Sequence, residues 1–280
     1  MQVGVGSCFG TFGELAQGEV VGQPFLFTFP SPFYSQVRFI PTKVGSLIGK
    51  TKGKKLALIA VERTLQLLGQ SQSGYLSIES SIPVGKGMAS SSADIIATIR
   101  AVAASFAVKL SAKEEAIIAA SIEPTDGVMY EGITAVNQQT GQLLYEFPDA
   151  PELSYIGFDS GGTVNTRAFH RDKKHYNEAE KQTLEHIFCQ MRSGLTTGNI
   201  EQIFQAATAS AQVNERFLPK PHFSLFLDLA IHLQAGVIIG HSGTVIGLLL
   251  DRQDPILQEK QKEIIEKVRI EAGWQPLIIF

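Results

Sequence analysis

Two spacings of apolar residues alternate along the chain. Leu76 and Ile78 alternate with Tyr75, Ser77 and Glu79, the period-two pattern of a half-buried strand. Ile95, Ile99, Val102 and Phe106 then recur at steps of four, three and four, one face of a helix. Leu58, Val61, Leu65 and Leu68 place a second helix over 56–68, and the capping box Ser111-Ala-Lys-Glu114 opens a third that runs to about Ile122. Glu123 precedes Pro124, which disfavours further helix. Ahead of these, residues 1–45 carry short β-prone runs at 20–21, 25–29 and 36–40, broken by glycine and proline.

Residues 125–147 read as turn and strand, and the proline-bracketed 147–151 segment "FPDAP" is the predicted boundary between domains at 1–150 and 151–280. Past it the pattern predicts a strand at 155–158 and helices over 177–192, 199–217 and 224–234. Apolar runs at 237–239 and 245–250 flank a glycine-rich turn. Asp254-Pro255 is read as the start of a helix ending at Gly273, and 277–280 closes as a strand. Helices and strands mix in both halves, so the fold class is α+β with two domains.

Composition narrows the class. The 280 residues are 44% hydrophobic and 18% charged with a net charge of −3, ordinary for a globular protein. Lys50, Lys52, Lys54 and Lys55 form the densest basic stretch, but it is short and lacks interleaved aromatics. It is read as a solvated loop, with no nucleic-acid partner. No apolar run approaches the ~18 residues of a membrane span, and the start lacks a signal-peptide pattern. Cys8 and Cys189 cannot build a disulfide framework, which fits a cytoplasmic protein. His186 and Cys189 share a helix face without further ligands, so Cys189 is expected to face the core rather than a metal.

Between the strand at 75–80 and the helix that follows lie Pro83, Val84, Gly85, Lys86, Gly87, Met88, Ala89, Ser90, Ser91, Ser92 and Ala93. A helix starting there turns free N–H groups and its positive dipole end back toward the loop. Glycine admits a phosphate close to the backbone, so the segment is a candidate phosphate cradle. Two other glycine stretches fail that reading. In "GSLIGKT" (45–51) only three residues separate the glycines where a Walker loop needs four, and it is read as a surface turn. "GVGSCFG" (4–10) lacks the dinucleotide spacing.

The segment "PVGKGMASS" resembles the P-x-G-x-G-[LM]-[GS]-S-S signature of the GHMP kinases, with Ala89 where the family has glycine or serine. "GTFGELAQGE" (10–19), "IEPTDGVMY" (122–130) and "GHSGTVIGLLLD" (240–251) are similar to further family segments, so the resemblance covers the whole chain. It implies an N-terminal mixed α/β ATP-binding domain and a C-terminal ferredoxin-like domain. It also implies ATP and Mg²⁺ as requirements, and a small alcohol as acceptor. Together with "FDSGGTVNT" (158–166), the set most resembles the members that phosphorylate the hydroxyl of L-threonine for the aminopropanol arm of cobalamin. Homoserine or another small alcohol, and a non-catalytic nucleotide-binding role, remain the alternatives.

By that resemblance Ser91 and Glu123 are the candidate Mg²⁺ ligands, and Asp126 is the base or hydroxyl-orienting group, with the reverse roles of the two carboxylates left open. Lys86 is a phosphate partner or a solvent-facing lysine. Glu14 touches substrate or fixes its loop. Asp159 offers a carboxylate for an acceptor ammonium, and Gly161, Gly162, Thr163, Asn165 and Thr166 offer donors for an acceptor carboxylate. His241, Ser242 and Gly243 form the third glycine motif, where His241 either approaches phosphate or packs. Phe9 and Phe12 stand where the threonine-phosphorylating members have proline and cysteine, and either reshape the acceptor site or fill space.

Overall fold

The computed structural model describes residues 2–43, 45–50, 53–71, 73–164 and 175–280. Among these residues the chain forms ten strands and seven helices in two compact units.

The first unit comprises the residues up to Thr11, Pro30–Val84 and Ala89–Glu146. It contains the first part of β1 (Gly4–Val20) and the second part of β2 (Gln23–Pro41). These two are long strands, 17 and 19 residues, where the sequence predicts short runs broken by glycine and proline. The glycines act as contact points instead. A Cβ at Gly4 would lie 1.9 Å from the Ala101 carbonyl oxygen, and one at Gly6 2.2 Å from that of Ala97. The "GVG" stretch is thus where a strand lies directly on a helix.

Within this unit β4 (Gly74–Ser80) pairs antiparallel with β2 from Ser35↔Ser80 to Pro41↔Gly74, and burying Leu76 and Ile78 fixes its register. The expected turn at 45–51 is in part a strand: β3 (Leu47–Lys50) runs parallel to β4. Helices α1 (Lys55–Leu67), α2 (Ser90–Ser105) and α3 (Ala112–Ala120) follow, and the capping box of Ser111 and Glu114 is present. A bidentate Arg100–Glu115 pair, at 2.9 Å through Nε and Nη2, ties α2 to α3. The short hairpin of β5 (Thr134–Val136) and β6 (Leu143–Glu146) completes the unit.

The second unit comprises Phe12–Phe29, Gly85–Met88 and Phe147–Phe280. Here β1 turns into β2 through Val21 and Gly22, both at positive φ (51° and 72°), as a two-residue hairpin requires. The unit's sheet runs β10-β7-β9-β8-β1, with β7 (Leu153–Asp159), β8 (Gly236–Ile239), β9 (Val245–Asp251) and β10 (Ile278–Ile279). All its pairings are antiparallel, and Glu14 stands opposite Ile239.

Among the described residues four helices belong to this unit: α4 (Glu178–Thr197), α5 (Ile200–Glu215), α6 (Phe223–Leu233) and α7 (Leu257–Glu271). Ile156, Phe158, Phe226, Leu229, Ile246 and Leu248 form the core with Ile264 and Val268 of α7. The last helix starts at Leu257 rather than at Asp254-Pro255. Asp254 caps a tight turn ahead of it, accepting from the Ile256 N–H at 2.9 Å, while Leu257 N donates to the Asp254 carbonyl at 3.0 Å. Cys189 and His186 both lie outward, because α4 buries Leu184, Ile187, Met191 and Leu195 instead. The expected core-facing Cys189 is therefore corrected.

Candidate active site

The first unit presents the serine run. Ala89 takes the left-handed conformation (φ 56°, ψ 27°) and α2 starts at Ser90 with no capping side chain. An L-residue pays roughly 1–2 kcal/mol for that conformation. In return the chain turns sharply and leaves the first-turn N–H groups of Ser90, Ser91 and Ser92 uncapped at the positive end of the helix. Ser91 donates its hydroxyl hydrogen to Glu123 Oε1, and Ser92 donates to Asp126 Oδ2 at 2.9 Å. The Asp126 N–H returns a bond to Ser92 Oγ at 3.3 Å. Both carboxylates arrive there because α3 stops at Ala120 and the Thr125 N–H docks on the Gln138 carbonyl at 2.9 Å. Gly127 (φ 75°) then turns the chain away.

One turn into α2, buried Asp94 takes the Lys54 ammonium at 2.7 Å and the Ser35 hydroxyl at 2.5 Å. Burial pushes this carboxyl up, and Lys54 and Ser35 only partly oppose it. Lys54 is therefore an ion-pair partner and not a solvated loop residue. Lys52 lies outside the described residues. The sequence reading missed Asp94, which carries no motif.

The second unit holds the glycine part of the loop. Lys86 reaches Asp159 Oδ2 and the Gly162 carbonyl, each at 2.5 Å, so it is neither solvent-facing nor unpartnered. Asp159 Oδ1 also accepts from Thr244 Oγ1 at 2.6 Å and the Gly161 N–H at 3.1 Å. Burial pushes the Asp159 carboxyl up, but Lys86, Thr244 and Gly161 outweigh it and hold it below the usual carboxylate range. The carboxylate expected to meet an ammonium, and the Gly161 amide expected to meet a carboxylate, are thus committed to each other. Gly162 and Thr163 are exposed, and the Gly85 carbonyl accepts from Val164 N at 3.0 Å. Asn165 and Thr166 lie outside the described residues.

The third glycine motif clamps the loop backbone. Thr244 N and Val245 N donate to the Lys86 carbonyl at 3.0 and 3.2 Å, and Gly13 N donates to the Gly87 carbonyl at 3.2 Å. A Cβ on Gly243 would lie 2.1 Å from Gly87 N, so only glycine fits there. Ser242 is buried beside it. His241 is packed rather than open: its N–H donates to Glu14 Oε2 at 2.9 Å, its Nδ1 lies 3.1 Å from the same oxygen, and its Nε2 lies 2.9 Å from Ser210 Oγ. Glu14, 2% exposed, therefore fixes its loop from inside. Ser210, buried against His241, carried no sequence signal.

Phe12 is fully buried and stacks on Tyr155 with centroids 4.9 Å apart. Its ring fills the space that a Cβ on Gly157 would need, 2.2 Å away. Phe12 is a core residue, and Phe9 is half-buried.

Among the described residues no group of three or more His, Cys, Asp or Glu gathers to hold a metal. Ser91 and Glu123 nonetheless bring two hard oxygen donors together. That suits Mg²⁺, which takes one or two protein oxygens and completes its shell with phosphate and water.

Residues 55–133 match the GHMP kinases N terminal domain. The chain is 32% identical over 254 residues to an L-threonine kinase of Citrobacter freundii, covering 89% of this chain and 86% of that one. It is 31% identical over 271 residues to an L-threonine kinase of Salmonella typhimurium, covering 95% and 89%. In fold it is similar to a homoserine kinase from Cytophaga hutchinsonii (TM-score 0.75, 16% identity, 100% and 94% covered). It is also similar to the mevalonate kinase of Methanococcus jannaschii (TM-score 0.69, 17% identity, 98% and 96% covered).

Proposed function

The chain belongs to the GHMP kinases, small-molecule kinases that take ATP as phosphate donor, and from that premise we propose that it phosphorylates the side-chain hydroxyl of L-threonine. The product would be O-phospho-L-threonine, destined for the aminopropanol arm of cobalamin. The reading of the acceptor rests on the two L-threonine kinase relatives. The observation that carries the chemistry is the double pairing of Ser91 with Glu123 and Ser92 with Asp126 at the start of α2.

In this reading Asp126, held by the Ser92 hydroxyl and its own N–H, orients the acceptor hydroxyl and takes its proton. The hydroxyl oxygen forms a bond to the γ-phosphorus as the bond to the β,γ-bridging oxygen breaks, and ADP leaves. Ser91 and Glu123 would hold Mg²⁺, which when bound neutralises charge on the phosphate oxygens. The uncapped amides of Ser90–Ser92 add donors for the same charge. Lys86, oriented by Asp159 and the Gly162 carbonyl, sets the shape of the glycine loop. The pairing of Ser91, which matches the metal-ligating serine of the family signature, with Glu123 favours Glu123 on the metal side over the reverse roles.

The test is ADP release with Mg-ATP across L-threonine, L-serine, L-homoserine and 1-amino-2-propanol. Preference for L-threonine is the expected result. Turnover with another alcohol alone would remove the threonine assignment and leave the kinase.

A further inference from the structure

Glu14 of β1, Ser210 of α5 and His241, between β8 and β9, stand in line in the second unit, none more than 2% exposed. Glu14 Oε2 lies 3.1 Å from His241 Nδ1, and His241 Nε2 lies 2.9 Å from Ser210 Oγ. Serine, histidine and an acid in that order can activate a nucleophile. This hydroxyl, however, is 1% exposed and already accepts from the Gln17 N–H at 3.1 Å, so no substrate reaches it. The line is a support.

What it supports is the backbone of the glycine loop. Two segments grip that backbone: Gly13 N holds the Gly87 carbonyl, and Thr244 N and Val245 N hold the Lys86 carbonyl. Glu14 follows the first donor directly, and His241 opens the turn that carries the other two. A single oxygen, Glu14 Oε2, accepts from the His241 N–H at 2.9 Å and meets its ring, and so joins the two grips.

The partners also fix the imidazole proton. An ionised carboxylate only accepts, so the Nδ1 that faces it carries hydrogen. Lys220, 5% exposed, acts on Glu14 electrostatically; burial brings this lysine down to about 8, so near neutral pH it is charged and favours an ionised Glu14. The Ser210 hydroxyl hydrogen can go to Nε2 at 2.9 Å or to the Gln17 carbonyl at 3.5 Å, and the shorter bond is the stronger. Nε2 therefore accepts, and the ring is neutral with its hydrogen on Nδ1.

We propose that Ser210 and His241 are positioning residues of the phosphate loop. Ser210 holds His241 in the Nδ1–H form, and that form binds Glu14 and keeps the grips on Lys86 and Gly87 aligned. The proposal rests on the kinase reading above, through the assignment of the loop to phosphate, and not on the choice of threonine as acceptor.

NMR of the wild type labelled with ¹⁵N-histidine reads the ring directly near neutral pH. One of the six histidines should show the neutral Nδ1–H pattern and lose it in Ser210→Ala, drifting toward the Nε2–H form that a free imidazole prefers. An imidazolium, an Nε2–H ring in the wild type, or spectra unchanged by Ser210→Ala would overturn the proposal. Kinetics then separate positioning from packing, using whichever alcohol the wild type turns over and a temperature at which every variant is folded. Ser210→Ala should lower kcat/KM for ATP roughly 3- to 10-fold, the loss of one neutral hydrogen bond. His241→Asn, which keeps an N–H donor in place of Nδ1, should retain more activity than His241→Ala. A lower melting temperature with unchanged kcat/KM would make Ser210 a core residue and sink the role. A wild type inactive with every acceptor would remove the kinase reading and this role with it, and the NMR pattern tells that failure from a failure of the Ser210–His241 pairing.

Discussion

Replacing Gly243 by alanine puts a methyl group where the glycine loop already runs. Its Cβ would lie 2.1 Å from Gly87 N and from the Lys86 carbonyl, whereas ordinary contact begins at 3.4 Å. Gly243 is not at positive φ, so the alanine backbone itself is unstrained and the whole effect is steric. The Lys86 and Gly87 backbone must therefore move by about 1 Å, and a misplacement of that size costs on the order of 100-fold in rate. That corresponds to about 2.7 kcal/mol of lost transition-state stabilisation.

Coupled ADP release gives kcat and KM, and a melting curve runs alongside. The expected outcome is a folded protein with kcat/KM down on the order of 100-fold. Gly198→Ala is the companion. It lies at positive φ (72°) with nothing within 4 Å of the new Cβ, so it should lose about 1 kcal/mol of stability and keep its activity. A folded Gly243→Ala protein with unchanged kcat/KM would refute the claim that this turn positions the loop for catalysis.

Asp126→Asn should lower kcat by roughly 10²- to 10⁴-fold, the worth of a positioned general base, while the KM for ATP holds. An unchanged kcat would reduce Asp126 to a turn residue beside Gly127. Phe12→Ala should cost about 3–5 kcal/mol in urea denaturation without altering acceptor preference, because the ring packs on Tyr155 and over Gly157. Altered preference at unchanged stability would place it in the acceptor site. Lys220 also makes stability depend on pH: below about 8 both folded and unfolded chains carry its proton. Between about 8 and the ordinary 10.5 only the unfolded chain does, so this group's contribution to stability rises with pH across that window. Denaturant midpoints of wild type and Lys220→Met should diverge there, and parallel curves would show an unshifted lysine.

The serine run, Glu123 and Asp126 were legible because their chemistry is local: small residues before a helix, a capping box, a proline stop and an Asp-Gly turn. The partners of Lys86, Glu14 and Lys54 were not, because each looks like an ordinary surface charge until topology supplies the other half. Glu14 and His241 are 227 residues apart, and Lys54 and Asp94 are 40 apart. The long strands were misread for a related reason. Glycine and proline usually end a strand, but Gly4 and Gly6 are there to admit α2, a tertiary demand invisible to local patterning.

The pairing of β1 with β8 also governs how the protein comes into being. Glu14 leaves the ribosome some 225 residues before Ile239, its partner across the sheet. At ~5–20 residues per second the wait is roughly 10–45 s. For that time the β1 edge is an open template, beside a "FLFTF" stretch whose residues 25–29 are all buried in the finished fold. No truncated chain lacking β8 can close this unit. Slow elongation or premature termination before β8 should therefore yield aggregates well before the stability of the finished enzyme becomes limiting.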